Sequence, residues 1–420
     1  MKILLVDPPC FRFTGYYRFY FPLGLTYIAA ALQQQGHEVM IYDAEHDPDC
    51  VSWKSTDGVA DKIHLYRDAV LNDAHPVWSE FLRVLDEFQP ELLGISVLSL
   101  KLAAAVKMAR LAKSWSGNLP IVAGGEHVTV RPQDVLRHQF DYVVTGEGEL
   151  GMLKLVQQLA TGVRPQSVIS AGFVDTLDSL PMPAIECLRV YHSYRPVDLG
   201  LMVTARGCTF NCRFCALATV WGRKVRYHSV GRIIQEIILR KQRYGVSYLS
   251  FRNGTFTANR HFVHRFCQQL VDQQLGVGWE CLTRIDTIDA PLLREMKAAG
   301  CDTIRVGIES GSEVILQYMG KGITLAKIRT AAKVLNQSGI FWSAYFMLGV
   351  PPETKETISL TLKLIQEIDP PFVTLAKFTP LPGTEMYQDV VEAGLLDEEN
   401  SDWMWGANQS LDLAFVRTMN

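Results

Sequence analysis

The stretch Gly207-Cys208-Thr209-Phe210-Asn211-Cys212-Arg213-Phe214-Cys215 decides the organisation of the chain. It places three of the nine cysteines within eight residues, at the spacing C-x3-C-x2-C. The short apolar run 201–204 just before it predicts a β-strand that ends in this loop. Polar Asn211 and Arg213 between the cysteines argue against a buried core segment. Three thiolates in one loop can bind three irons of a [4Fe–4S] cluster and leave the fourth iron open to another ligand.

A structural zinc site is the alternative for this loop. Such a site needs a fourth cysteine or histidine nearby. His228 follows Cys215 by 13 residues, and the sequence holds no second C-x2-C pair. The spacing therefore favours an iron–sulfur cluster with Cys208, Cys212 and Cys215 as its ligands.

The cysteine loop resembles that of the radical SAM enzymes. In that family the open iron binds the amino and carboxylate groups of S-adenosylmethionine (SAM), and the aromatic residue before the last cysteine, here Phe214, lies against the adenine. The resemblance implies further SAM contacts at later strand ends, from Asn253, Arg284, Glu309 and Ser310. For Arg284 and Glu309 the alternative is an internal ion pair that joins adjacent strands.

Composition restricts the classes of partner. The 420 residues carry a formal net charge of -3, with 48% hydrophobic and 20% charged residues. This balance is ordinary for a globular chain and does not favour nucleic acid. No apolar run reaches the roughly 18 residues of a membrane span. The first residues read as a strand and not as a signal peptide, and the odd cysteine count disfavours a disulfide framework. We therefore expect a cytoplasmic protein.

Residues 1–160 alternate between strand and helix patterns. Strands are predicted at 3–6, 38–42, 92–97, 121–123 and 142–144, and helices at 23–35, 101–114 and 147–160. This alternation predicts an α/β fold with a doubly wound parallel sheet of the flavodoxin or Rossmann type, which binds ligands at the carboxyl ends of its strands. No G-x-G-x-x-G motif opens the first helix, so a dinucleotide is not favoured. The polar residues 43–76 are interpreted as a solvated loop.

The order of motifs in this region resembles the cobalamin-binding domain of a large radical SAM subgroup. The matching pieces are Pro8-Pro9, 21–25, 36–39, Gly124-Gly125-Glu126-His127 and 141–149. The resemblance implies cobalamin contacts from Pro8, Ser96, Leu98, Ser99, Gly124, Gly125, Glu126, His127, Gly146 and Glu147. Many such domains carry Asp-x-His-x-x-Gly after the first strand, whereas this chain has Asp7-Pro8-Pro9-Cys10. We therefore expect no histidine on the lower face of the cobalt.

The second half of the chain predicts a barrel. A proline-rich linker at 161–198 is followed by six strand–helix units over 199–390, which predict a partial (β/α)6 barrel that is open on one side. The cysteine loop follows the first of these strands, at the end where barrels carry their chemistry. Cys267, Cys281 and Cys301 are interpreted as packing residues. A short tail, 391–420, includes Trp403-Met404-Trp405 and is expected to dock on the barrel.

The resemblance covers nearly the whole chain and implies a cobalamin-dependent radical SAM enzyme. Such an enzyme generates a 5′-deoxyadenosyl radical and delivers a methyl group from cobalamin to an unactivated carbon of a small molecule. It also implies an external electron donor of the flavodoxin or ferredoxin type. Three alternatives stay open: a non-methylating tetrapyrrole cyclase or rearrangement enzyme, a cobalamin- or cluster-based sensor, and a radical SAM enzyme whose N-terminal domain binds no corrin.

Overall fold

A computed structural model describes residues 1–15, 20–48 and 62–396. Within these residues the chain forms two compact units. The first comprises Met1–Asp175 and Ser179–Asp198, and the second comprises Thr176–Asp178 and the described residues 199–396. The tail tryptophans at 403 and 405 lie outside the described residues. Among the helices of the described ranges, none is long and apolar enough to cross a bilayer.

The first unit is built on one sheet of six parallel strands. They are β1 (Lys2–Asp7), β2 (Glu38–Asp43), β3 (Leu92–Ser96), β4 (Ile121–Gly124), β5 (Tyr142–Thr145) and β6 (Val168–Ser170). Their spatial order is β2-β1-β3-β4-β5-β6, so the winding direction reverses between β1 and β3. Apolar residues fill β1 because both faces of the sheet are covered. The predicted doubly wound parallel sheet is confirmed.

Seven helices of the described residues accompany this sheet. They are α1 (Leu23–Gln34), α2 (Ile63–Leu71), α3 (Pro76–Phe88), α4 (Leu102–Trp115), α5 (Glu126–Val130), α6 (Pro132–Leu136) and α7 (Gly148–Ala160). Helix α3 packs an apolar face that includes Trp78 and Phe81, both almost fully buried. The helices predicted at 23–35, 101–114 and 147–160 agree with α1, α4 and α7 to within two residues.

The prediction of a solvated loop over 43–76 is wrong where the structure describes it. Asp43, Glu45 and His46 are buried, and α2 occupies part of the remainder. The Tyr194 hydroxyl donates to Asp43 Oδ2 at 2.7 Å, and the His46 ring stacks on the Tyr194 ring with centroids 3.8 Å apart. These acidic and imidazole groups are buried because partners distant in sequence satisfy them, which local composition does not reveal.

Strand β6 lies inside the segment that the sequence suggests as a linker. Val168 pairs with Val143, and Ser170 pairs with Thr145, so this short run extends the sheet at the β5 edge. A three-residue strand between proline and glycine residues is too short for its periodicity to identify.

The second unit contains the predicted open barrel. Its six parallel strands, in the spatial order β14-β13-β12-β11-β10-β7, are β7 (Leu201–Met202), β10 (Tyr248–Phe251), β11 (Gly278–Arg284), β12 (Cys301–Glu309), β13 (Phe341–Leu348) and β14 (Phe372–Lys377). Strands β7 and β14 form the two edges of this sheet. A short antiparallel pair, β8 (Ala205–Arg206) and β9 (Arg226–Tyr227), flanks the cysteine loop. Cys267, Cys281 and Cys301 are buried, as expected for packing residues.

The helices of this unit follow the strands in turn. They are α8 (Leu217–Trp221), α9 (Val230–Tyr244), α10 (Arg260–Asp272), α11 (Ala290–Ala298), α12 (Glu313–Tyr318), α13 (Leu325–Ser338), α14 (Lys355–Ile368) and α15 (Glu385–Glu392). Several begin with a side-chain cap, such as Ser229 before α9 and Asp289 before α11. These caps satisfy N–H groups that have no partner within the helix.

Candidate active site

The cysteine loop, residues 207–216, runs between β8 and α8. Gly207 begins the loop with a φ angle of 96°, and a Cβ atom there would lie 2.4 Å from the carbonyl oxygen of Lys224. Only glycine tolerates both this conformation and this close approach. The Cys208 N–H donates to the Gly222 carbonyl at 3.2 Å, and the Cys215 N–H donates to the Cys212 carbonyl at 3.1 Å. Backbone hydrogen bonds therefore fix the conformation of the loop that carries all three thiols.

The three thiols lie in a setting that suits thiolate ligands. Cys208 and Cys212 are partly buried, and Cys215 is exposed. Burial raises the pKa of Cys212, while the nearby cations Lys321 and Arg284 act to lower it. In the part of the chain that the structure describes, no three His, Cys, Asp or Glu side chains converge on a single metal ion. A [4Fe–4S] cluster binds each cysteine through a different iron, and the loop offers three thiols for this role.

Arg284 lies at the end of β11, directly beside the loop. Its Nη1 donates to Cys212 Sγ at 3.4 Å, and its guanidinium lies 4.0 Å from the centroid of the Phe210 ring. Two further donors bind the Asp286 carboxylate, and Nη2 also donates to the Lys321 carbonyl at 2.6 Å. The Arg284–Asp286 ion pair lies within one segment of the chain, so it is not the pair joining adjacent strands that was considered as an alternative. Arg284 also brings positive charge to a cluster ligand.

Glu309 lies at the end of β12 in a strained backbone conformation. Its φ angle is 75°, which is uncommon outside glycine, and the β12–β13 register shifts between Gly307 and Glu309. Its carboxylate pairs with Lys321 Nζ at 2.7 Å, and both side chains are buried. A Cβ atom at Gly307 would lie 2.4 Å from Glu309 Oε1 and 2.9 Å from Lys321 Nζ. Glycine at 307 therefore makes room for the ion pair, and strain of this kind concentrates at functional sites.

The side chains of Asn253 and Ser310 already have partners within the fold. Asn253 Oδ1 accepts from the Thr204 N–H at 2.9 Å, and its amide donates to the Thr204 hydroxyl, which joins the ends of β10 and β7. Ser310 is fully buried, and its hydroxyl lies 3.2 Å from that of Thr361 on α14. Phe214 lies with its ring 5.8 Å from Lys321 Nζ. Of the proposed SAM contacts, Phe214, Arg284 and Glu309 thus share Lys321 as a neighbour, whereas Asn253 joins the ends of β10 and β7 and Ser310 joins the end of β12 to α14.

Three residues of the site were not predicted from the sequence. They are Lys321, Asp286 and Arg213. Lys321 lies between Gly320 and Gly322, and both glycines have positive φ angles, of 62° and 67°. A charged residue between two glycines, here in the turn between α12 and α13, is a signal that could have identified it.

Arg213, in the middle of the loop, anchors the loop to distant helices. Its Nη2 donates to both oxygens of Asp389 at 3.0 and 2.9 Å, and its Nε donates to Glu385 at 2.9 Å. Its Nη1 donates to the Tyr318 carbonyl at 3.0 Å. Bidentate arginine–carboxylate pairs fix geometry as well as charge. The loop conformation therefore depends on α12 and α15.

In the first unit, the proposed cobalamin contacts lie at the carboxyl ends of β1, β3, β4 and β5. Leu98 is exposed there, and a Cβ atom at Gly124 would meet nothing closer than 3.9 Å, so both border open space. Gly125 differs, because its φ angle is 110° and a Cβ atom would lie 2.8 Å from the Val97 carbonyl oxygen. An exposed leucine beside an uncrowded glycine forms an apolar ledge that fits a flat macrocycle.

A hydrogen-bonded relay lies beside this ledge. The Ser99 hydroxyl lies 2.9 Å from Nδ1 of the buried His127, and His127 Nε2 lies 3.4 Å from Asp134 Oδ2. Burial raises the pKa of Asp134, but hydrogen bonds from His127 and Arg131 outweigh it and lower the value to about 2. The ionised Asp134 orients the imidazole and through it the Ser99 hydroxyl. Ser99 and His127 are therefore placed together, and their role as cobalamin contacts stays a prediction.

The remaining proposed contacts have mixed surroundings. Pro8 is buried, Ser96 and Gly146 are partly exposed, and Glu126 is exposed. Glu147 is buried, and its Oε2 accepts from the Val174 N–H at 2.6 Å, which ties the turn after β5 to the chain beyond β6.

Pro9 stands where the motif Asp-x-His-x-x-Gly would place a histidine, and the preceding Asp7 pairs with a buried lysine. Lys101 is almost fully buried, and its Nζ lies 2.8 Å from Asp7 Oδ1 and 3.0 Å from Glu45 Oε1. Cys10 lies nearby, and burial raises the pKa of its thiol to about 12. The chain at the end of β1 thus contributes the Asp7 carboxylate, which is paired with Lys101, and the Cys10 thiol, which stays protonated at neutral pH.

Comparison with known proteins identifies both units. Residues 202–365 match the radical SAM superfamily model, and residues 15–156 match the B12 binding domain model. An uncharacterized methyltransferase of Pyrococcus horikoshii, PH0819, is 30% identical and aligns with 94% of this chain and 84% of its own length. An anaerobic magnesium-protoporphyrin IX monomethyl ester cyclase of Rubrivivax gelatinosus is 26% identical over 78% of this chain and 62% of its own.

A solved structure supports the same fold. The radical SAM methyltransferase TsrM of Kitasatospora setae, with tryptophan and a SAM analogue bound, superposes with a TM-score of 0.73 at 17% identity. The alignment covers 93% of this chain and 76% of TsrM. The loop geometry, the family models and the Pyrococcus relative agree. The chain therefore belongs to the cobalamin-dependent radical SAM enzymes, whose cofactors are a [4Fe–4S] cluster, SAM and cobalamin.

Proposed function

We propose that this chain transfers a methyl group to an unactivated carbon of a small-molecule substrate. The observation that carries the proposal is the presence in one chain of a three-cysteine loop with flanking cations and of a cobalamin-type sheet with an open ledge. The methyltransferase of Pyrococcus horikoshii aligns with nearly the whole chain, so both parts are shared with it. An external one-electron donor of the flavodoxin or ferredoxin type completes the proposal.

The chain's own residues have distinct roles in this proposal. When bound, the cluster supplies an electron that cleaves SAM, and cobalamin carries the methyl group. Cys208, Cys212 and Cys215 hold the cluster. Arg284 and Lys321 balance negative charge beside it, and Glu309 accepts hydrogen bonds from SAM. The helices around the barrel exclude water from the reacting groups.

In the first unit, Leu98 and Gly124 provide the surface against which the corrin lies. Ser99, held by His127, offers a hydrogen bond to its nucleotide tail. The further proposed contacts are Pro8, Ser96, Gly125, Glu126, Gly146 and Glu147.

The test begins with protein reconstituted anaerobically with iron, sulfide and hydroxocobalamin and then desalted. We expect about four irons and one corrin per chain, and 5′-deoxyadenosine after addition of reductant and SAM. Trideuteromethyl-SAM with an extract of small metabolites then distinguishes the reactions, because a methyltransferase leaves the labelled methyl group on a product. Four irons without corrin would leave a radical SAM enzyme that lacks a methyl carrier.

A second candidate is a cyclase or rearrangement enzyme. The similarity to the Rubrivivax cyclase favours it, although this chain aligns with only 62% of that protein. A product formed together with 5′-deoxyadenosine but without the trideuteromethyl label would support this alternative and contradict methyl transfer.

The cobalt is expected to have no protein nitrogen as its lower ligand, because Asp7-Pro8-Pro9-Cys10 follows β1 and Lys101 is held by two carboxylates. Uniformly ¹⁵N-labelled protein loaded with unlabelled cobalamin and reduced to the cob(II)alamin form tests this by EPR. We expect no ¹⁵N doublet splitting. Unlabelled cobalamin gives at most a ¹⁴N triplet from its own base, so the two sources of nitrogen are resolved. A ¹⁵N doublet would show that the prediction is wrong.

A further inference from the structure

The inner face of the barrel sheet carries a network of charged residues. Trp279 Nε1 donates to the Ala299 carbonyl, and Trp342 Nε1 donates to Asn336 on α13, so these side chains point outward to the helices. Side chains alternate along a strand. Glu280 on β11, next to Trp279, therefore faces the barrel interior. On the adjoining strands, the residues paired in register with Glu280, and every second residue counted from them, face the same way.

Glu280 is the centre of this network. It is buried and accepts hydrogen bonds from Ser250 at 2.7 Å, from Arg252 at 2.9 Å and from Arg305 at 2.9 and 2.7 Å. Arg305 also donates to the Tyr345 hydroxyl at 3.3 Å. Four adjacent strands, β10 to β13, thus contribute to one connected group.

The network carries an excess positive charge. Burial raises the pKa of Glu280, but hydrogen bonds and charge from Ser250, Arg305 and Arg252 outweigh it and hold the pKa below its ordinary value. The carboxylate is therefore ionised at neutral pH, and one carboxylate faces two guanidinium groups. The two guanidinium groups and the one carboxylate together give the network a net charge of +1.

The two arginines are not equivalent. Arg305 uses its Nε and both terminal nitrogens on Glu280 and Tyr345, and its side chain is 31% exposed. Arg252 donates a single hydrogen bond, from Nη2 to Glu280, and its side chain is 41% exposed. The Glu280 carboxylate thus holds Arg252 at the network, and Arg252 keeps terminal N–H donors that no described residue accepts from.

A buried hydroxyl next to the network supports a ligand. Ser343 pairs in register with Arg305, so both side chains lie on the same face. Its hydroxyl is 99% buried and makes no hydrogen bond among the described residues. A buried polar group without a partner is costly unless a ligand or water satisfies it.

We propose that the substrate carries a carboxylate group that binds Arg252 inside the barrel, an inference that rests on the proposed function. One carboxylate neutralises the single excess charge, and the arginine fork matches the geometry of its two oxygens. Ser343 lies on β13, three strands from β10, so its hydroxyl serves a part of the substrate other than this carboxylate. Arg252 is thereby a specificity-determining residue for acidic substrates.

Binding of a fluorinated probe tests the proposal without turnover. Ligand-observed ¹⁹F NMR measures the affinity of 4-fluorobenzoate and of its neutral counterpart 4-fluorobenzamide for the reconstituted enzyme, with saturating SAM present. We expect the benzoate to bind at least about tenfold more tightly than the amide. Arg252→Gln should remove this preference, and Arg252→Lys, which keeps the charge but loses the fork, should retain part of it.

The matched control is Arg260→Gln, since Arg260 is exposed on α10 and pairs with Asp289. It should leave benzoate binding unchanged. Iron content and circular dichroism establish that Arg252→Gln is folded. The proposal would be overturned if Arg252→Gln bound the benzoate as tightly as the wild type, or if the wild type bound the amide as tightly as the benzoate. Tighter Arg252-dependent binding of 4-fluorophenyl phosphate would also overturn it.

SAM also has a carboxylate, so the titration is repeated without it. If SAM abolishes the Arg252-dependent signal, Arg252 serves SAM and the proposal is wrong. These readouts involve neither 5′-deoxyadenosine nor methyl transfer, so the proposal and the proposed function can fail separately.

Discussion

Cys212→Ser is expected to abolish the formation of 5′-deoxyadenosine and to prevent retention of a stable cluster. The irons of such a cluster prefer thiolate ligands, and the serine hydroxyl is a poor replacement for the cysteine thiolate. Cys212 is also the thiol that accepts from Arg284, so the substitution removes the contact that links the loop to β11. Iron analysis and the visible spectrum after desalting measure the loss, relative to about four irons in the wild type.

The control for this variant is Cys267→Ala. Cys267 is buried on α10 and belongs to the core, so its loss should reduce stability slightly and leave the iron content unchanged. A Cys212→Ser protein that keeps the wild-type iron content, or a Cys267→Ala protein that loses it, would contradict the assignment of the cluster to residues 208–215.

Lys321→Met is expected to lower the free energy of unfolding of the barrel unit by about 3–5 kcal/mol. The substitution leaves the Glu309 carboxylate buried and without its cation, and both side chains are at most 10% exposed. Glu309→Gln combined with Lys321→Met removes both charges, and we expect most of the stability to return. Denaturant unfolding of the reconstituted protein measures both effects. An exposed pair provides the control, and Arg329→Met, which breaks the pair with Glu367, should not change the stability measurably.

The same double variant separates a structural role of Glu309 from a ligand role. If Glu309 also binds SAM, the double variant is stable but binds SAM weakly in equilibrium dialysis. A double variant that is stable and binds SAM like the wild type would show that Glu309 acts only through the ion pair, and Glu309 would leave the set of SAM contacts.

The periodicity of the sequence was sufficient for the sheets and most of the long helices. Parallel strands buried on both faces, such as β1 and β3, appear as continuous apolar runs bounded by turn residues. The exceptions have physical reasons. Helix α3 was not predicted although its apolar face is clear, because the polar residues before it suggested a longer loop. The two-residue strands β8 and β9 carry no period at all, and they form because the cysteine loop closes between them.

The candidate site divides in a similar way. Motif spacing identifies the cysteines because iron ligands must be close in the loop, and the sequence alone shows that. The ion pair of Glu309 with Lys321 and the burial of Lys101 between Asp7 and Glu45 depend on tertiary contacts. Asp286, the ion-pair partner of Arg284, lies only two residues further along the chain. Local sequence therefore suggests Arg284 and Glu309 as polar residues at strand ends, and only the fold supplies the lysine partner of Glu309.

The anchor of the cysteine loop has a consequence for the order of events during synthesis. Arg213 is held by Glu385 and Asp389, which are translated more than 170 residues later. When the cysteine loop emerges from the ribosome, helix α15, which fixes the loop, has therefore not yet been translated. The anchored form of the loop exists only once α15 has been made, so the final ligand geometry becomes available to the iron–sulfur assembly machinery more than 170 residues after the loop has been translated.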